Sequence, residues 1–314
     1  MKAFLPSLGA CALILWGVSA WADTKPNESV IGLLAAEPQW LPVASTIATK
    51  LDHENGLRIV PMLGVGGVHG LQDLASMPMV DVAIVASDSL NYAVLQNILN
   101  GKQDQFSYVA RLATLDVVVV SKRGINNVAE LAGKRIATGP AQSAAFATGE
   151  LLFNALNIPF TRIAKQDQNA IDALIAGEVD AALILGTDIS TAALSDGRFH
   201  VLSLQIPQQL SKIYQPAILT AHELPGLLRQ KQSVETVAAS LTLAVFNRPR
   251  DAMQQRNLQN FETMMFKLSA GDGTGNLAAV VPGWKRHSEA QLIIEQTQAA
   301  RTDSATITPT GGKP

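Results

Sequence analysis

Short apolar runs alternate along this chain with segments whose apolar residues recur every three or four positions. Residues 29–34 form a nearly continuous apolar run, as a strand covered on both faces requires. Over residues 38–51, Leu41, Val43, Ala44, Ile47, Ala48 and Leu51 fall on the buried side of a helix. The pattern then predicts a strand over 57–62, a glycine-rich turn at Gly64-Val65-Gly66-Gly67, a short helix over 68–75 and a strand over 80–86. Asp88 is placed to cap a helix that carries Leu90, Ala93, Val94 and Ile98. A longer strand is expected over 106–120, followed by a loop and short helix through 124–133.

The alternation then restarts. A strand over 134–138 leads into the turn Gly139-Pro140-Ala141-Gln142-Ser143 and a helix over 144–156. A short strand at Ile163, a helix over 168–176 ended by Gly177, and strands over 179–185 and 199–204 follow. A last apolar strand region spans 232–245, and 254–269 has helical spacing through Leu258, Phe261, Met264, Met265 and Leu268. Two α/β blocks with a late return strand predict a two-lobed α/β fold with a cleft between the lobes. The expected division is residues 23–120 plus 236–300 for one lobe and 121–235 for the other. Residues 301–314, rich in Thr, Gly, Ser and Pro, are expected to be a disordered tail.

Composition removes several classes. With a net charge of −2 over 314 residues the chain lacks the basic footprint of a nucleic-acid binder. Its single cysteine excludes a disulfide framework and a thiolate-rich metal site. The first residues change the picture most. Lys2, an apolar run over 8–18 and Ala20-Trp21-Ala22 make the three parts of an export signal cleaved after Ala22, which predicts a periplasmic protein. Leu8-Gly9-Ala10-Cys11 also has the local look of a lipoprotein processing site, although cleavage there would leave an apolar stretch at the mature N-terminus.

Three loops precede helices and would face one cleft: Ala35-Ala36-Glu37-Pro38-Gln39-Trp40, Gly64-Val65-Gly66-Gly67-Val68-His69 and Gly139-Pro140-Ala141-Gln142-Ser143-Ala144. Each offers free backbone N–H groups and a positive dipole end, a generic site for a small anion. The candidate ligand-binding residues are Glu37, Gln39, Trp40, Gly66, Gly67, His69, Asp88, Gln142, Ser143 and Ala144. For Ser143 and Asp88 plain helix capping competes with ligand contact, and for Trp40 core packing does. Gly64 and Gly66 would need a glycine at 69 to make a dinucleotide fingerprint, and that residue is His69. No G-x-S-x-G elbow or H-E-x-x-H occurs, and the five histidines are scattered. No catalysis, cofactor or metal is therefore expected.

The stretch Leu71-Gln72-Asp73-Leu74-Ala75-Ser76-Met77, followed by Val80-Asp81-Val82-Ala83-Ile84-Val85-Ala86-Ser87-Asp88, resembles one found in TAXI-type solute-binding proteins. Glu130-Leu131-Ala132-Gly133-Lys134-Arg135-Ile136 and Gly177-Glu178-Val179-Asp180-Ala181 resemble two further stretches of that family. The resemblance covers roughly residues 29–246. It implies the type II periplasmic binding fold and a receptor that closes around a small organic acid for the permease of a TRAP transporter. The chain departs from the family in the turn Gly66-Gly67-Val68-His69-Gly70, where glycines replace the family's Ser and Asn donors, and in Glu37, which adds a negative charge. The departures leave open a less acidic or cationic ligand. They also leave open a binding-protein-like accessory or sensor, serving an oxidoreductase system, that has lost transport.

Overall fold

The computed structural model describes residues 29–52, 54–188, 191–272 and 277–306. The expected leader with Cys11, His53 and residues 307–314 lie outside the described residues. In chain order the elements are β1 (Ser29–Ala35), α1 (Leu41–Leu51), β2 (Leu57–Leu63), α2 (Gly67–Ser76), β3 (Val82–Ala86), α3 (Asp88–Leu95) and β4 (Phe106–Lys122). Then come β5 (Arg135–Ala137), α4 (Ala144–Ala155), β6 (Thr161–Ile163), α5 (Asp167–Ala176), β7 (Ala181–Leu185) and β8 (Phe199–Val201). The chain continues through β9 (Gln215–Thr220), β10 (Ser233–Phe246), α6 (Ala252–Asp272) and α7 (Ser288–Thr306).

The strands follow the order β2-β1-β3-β10-β4-β7-β5-β6, with β8 beside β4 and β9 beside β10. Two parallel triads stand at the ends. β1 pairs in parallel with β2 and β3, and β5 does so with β6 and β7. The inner strands β1, β3 and β7 are apolar and largely buried, as strands covered on both faces are, whereas the edge strands β2 and β6 are largely exposed. Two long antiparallel strands join the triads. Phe106–Asp116 of β4 pairs with β10, whereas Val117–Ser121 pairs with β7. Leu241–Ala244 of β10 pairs with β3, while Ser233–Ala238 pairs with β9. This is a two-lobed α/β fold whose lobes share their longest strands.

The motif residues of the second block explain its local geometry. Gly177 ends α5 in the left-handed conformation at φ 80°, as helix C-termini favour. Three residues on, the Asp180 carboxylate accepts from Lys122 Nζ at 3.0 Å, from Arg135 Nη2 at 3.0 Å and from the Arg135 backbone N–H at 3.0 Å. One side chain thus ties the ends of β4, β5 and β7. The Arg135 guanidinium, with Lys122 beside it, holds the Asp180 carboxyl well below the usual carboxylate range.

Some elements differ from expectation. β9 was not anticipated, because Pro216 and its mixed polarity mask the strand; proline is tolerated at such outer positions. α7 is a further addition, and its weakly patterned sequence conceals a helix. It runs on to Thr306, into the segment expected to be a disordered tail from residue 301, because Gln298-Ala299-Ala300-Arg301 are strong helix formers. Met264 and Met265 are core residues.

Candidate functional site

The seam between the two blocks is where the three helix-leading loops meet. Glu37 leaves β1 in an extended conformation, just before a short 3-10 turn at Pro38–Trp40. That geometry sends its carboxylate inward, and the residue is only 1% exposed. Its Oε1 accepts from the Gly67 N–H at 2.8 Å and from the Ala144 N–H at 2.6 Å. These are the first residues of α2 and α4, one helix from each block. Gln166 Nε2 reaches the other oxygen at 3.4 Å. Burial pushes the Glu37 carboxyl up, and the Ala144 and Gly67 N–H groups oppose that shift by holding the charged form. Two positive helix ends add to the same opposition.

The backbones also touch directly. The Val68 N–H donates to the Gln142 carbonyl at 3.0 Å. The Gln142 side-chain oxygen lies 3.1 Å from His69 Nδ1. Gly66 is held at φ 154°, and a Cβ there would stand 2.7 Å from the Gln142 carbonyl oxygen. The glycine turn therefore serves a close approach, and what approaches is the chain's own second block.

A second carboxylate also crosses the seam. Asp88 is fully buried at the start of α3. Its Oδ2 accepts from Thr148 Oγ1 of α4 at 2.6 Å and from the Tyr214 hydroxyl at 2.8 Å. Its Oδ1 has no hydrogen-bond partner. Burial pushes the Asp88 carboxyl up, and burial together with the nearby Asp88 charge raises the Tyr214 phenol well above its usual value. Beside this network, the Tyr92 ring of α3 meets the Phe146 ring of α4 edge-on at 5.4 Å.

The expected site residues divide accordingly. Glu37, Gly66, Gly67, His69, Gln142 and Ala144 come together at one point. Ser143 is the N-cap of α4 and accepts from the Phe146 N–H at 3.1 Å. Asp88 does not act as the N-cap of α3; that position is Ser87, and the Asp88 carboxylate is drawn instead to Thr148 and Tyr214. Trp40 packs in the core at 4% exposure, and Gln39 is exposed. Sequence reasoning missed Thr148, Gln166 and Tyr214. Thr148 follows Ala144 by four residues and so lies on the same helix face, a spacing that could have flagged it. Among the described residues no three His, Cys, Asp or Glu side chains gather as a metal site. No helix among them is long and apolar enough to cross a membrane.

A family model described as the NMT1-like family matches residues 38–252. No curated protein matches the chain. Among solved structures, one described as a periplasmic transporter aligns over 90% of this chain and 98% of its own, at 15% identity and a TM-score of 0.50. MatC from Rhodopseudomonas palustris, with bound malate, aligns over 86% of this chain and 97% of its own, at 18% identity and a TM-score of 0.49. A TctC solute-binding protein from Polaromonas aligns over 87% and 89%, at 15% identity and a TM-score of 0.46. The likeness to the first of these is a likeness of fold alone.

Proposed function

The chain belongs to the NMT1-like family, and from that premise we propose that it is a periplasmic solute-binding protein. It takes a small organic solute, an organic acid foremost, between its two lobes and delivers it to a membrane transporter. The observation that carries this reading is the seam itself, where the N-termini of α2 and α4 converge on one buried carboxylate. Donors from both lobes acting on one group are what a closing receptor needs, since closure is stabilised only by contacts that both lobes supply. The lobes in this reading are residues 23–120 with 236–300, and residues 121–235. Export follows cleavage after Ala22. The TAXI-like stretches favour a TRAP-type permease as the partner. The protein catalyses no reaction of its own.

One observation favours a second reading. The seam is filled by the chain's own Glu37 and Asp88 rather than left open. A binding-protein-like accessory or sensor that has lost transport, serving another periplasmic protein such as an oxidoreductase, would keep the fold and lose the vacancy.

A thermal-shift screen of carboxylates, amino acids, amines and small alcohols separates the two. A solute at 100 times its dissociation constant stabilises the folded state by about 2.7 kcal/mol. A hit weakened by His69→Ala or Gln142→Ala supports the receptor and its site. A blank from folded protein free of co-purified solute supports the accessory.

A further inference from the structure

Glu37 is more than a residue near a binding site. A carboxylate solute held between α2 and α4 would need donors at the first N–H of each helix. Both donors are taken, by one oxygen atom, at 2.8 and 2.6 Å. The contact is buried: Glu37 and Ala144 are each only 1% exposed. It is also tight: a Cβ on Gly67 would lie 2.8 Å from Ser89 Oγ and 3.3 Å from the Ala144 Cβ. Ser89 Oγ is buried at this point and has no hydrogen-bond partner. A hydroxyl donor thus faces the seam beyond those that Glu37 uses.

We propose that Glu37 is an internal ligand: its carboxylate occupies the carboxylate subsite between α2 and α4 and holds the lobes closed before any solute arrives. This rests on the solute-binding reading of the same seam. The consequence concerns specificity. A second carboxylate beside a buried first one is strongly disfavoured, so an acidic solute binds only by turning Glu37 out. Displacement leaves that solute the two helix N–H groups and the unpaired Ser89 hydroxyl.

Acetate is the probe. Glu37→Ala leaves both helix N–H groups free and space for a small carboxylate. Its melting temperature is expected to fall, and saturating acetate at constant ionic strength to raise it again by about 5 °C. Wild type is expected not to respond, because the subsite is filled. Glu37→Gln, whose amide oxygen still accepts from both N–H groups, is expected not to respond either. Acetate that moves wild type as much as Glu37→Ala, or that moves neither, would overturn the proposal. If Glu37→Ala does not fold, hydrogen exchange on solute-free wild type decides. Slow exchange at the Gly67 and Ala144 amides together is expected, and exchange as fast as that of open loop amides overturns the proposal. A blank solute screen with acetate rescue intact would count against the receptor reading alone. Lost rescue counts against the internal ligand whatever the screen returns.

Discussion

Glu37 and Asp88 are both carboxylates buried in one seam, and both join the two α/β blocks, but they are held by different chemistry. Glu37 receives backbone N–H groups at the positive ends of two helices. Asp88 receives hydroxyls from Thr148 and Tyr214, and one of its oxygens is left without a partner. Backbone donors at helix ends are fixed by the fold and carry a favourable dipole. Hydroxyls rotate, and at Asp88 they act beside the backbone N–H groups of Asp88 and Ser89, which belong to its own helix. The comparison teaches that Glu37 is anchored by the helix backbones of both blocks, whereas Asp88 is anchored across them by side-chain hydroxyls. Burial pushes both carboxyls up, but only Glu37 meets backbone donors from both blocks.

Removing the better-held carboxylate should have the largest effect. Glu37→Ala strands two buried N–H groups, and chemical denaturation should find it destabilised by about 3 kcal/mol. A loss as small as that of an exposed substitution would remove the contrast. On the other side, Tyr214→Phe deletes one of two hydroxyls on Asp88. Because Thr148 still donates, the expected loss is about 1–2 kcal/mol by the same measurement.

The smallest expected effect sharpens the comparison through pH. The folded-state pKa of Asp88 is raised by burial. The stability linked to it is therefore fully present below the ordinary carboxylate range and is lost as pH rises through the raised value. Asp88→Asn has no proton to exchange at this position. Wild type should accordingly gain on Asp88→Asn as pH falls from neutral toward about 5, read as a narrowing or reversal of the gap between their melting temperatures. A gap that widens on acidification would mean that the charged form of Asp88 is the stabilised one.

Much of this was legible in the sequence, and the particular failures have physical causes. Alternating apolar runs and helical spacings were enough to find the strands of both parallel triads, most plainly β1, β3 and β7, since strands covered on both faces have little choice of composition. The three helix-leading loops were also legible, because free N–H groups at helix starts follow from helix geometry alone. The residues that complete the seam were not. Tyr214 lies 126 positions from Asp88, and Gln166 lies 129 from Glu37. No local pattern encodes a partner at that distance. Glu37 was visible as a charge near a cleft, but that its charge would be satisfied by the chain's own helix ends is a tertiary fact. Trp40 shows the reverse: pocket wall and core packing were both open for a large ring beside a candidate loop, and it packs in the core. The motif around Asp180 carried information about fold because its carboxylate ties three strand ends.

As the proposed internal ligand, Glu37 keeps the two lobes closed without solute. Small-angle X-ray scattering on solute-free wild-type protein tests it most directly. The account predicts a profile that fits the closed structure and does not contract when a solute from the screen is added. A profile that fits only separated lobes, and that contracts on adding solute, would contradict it.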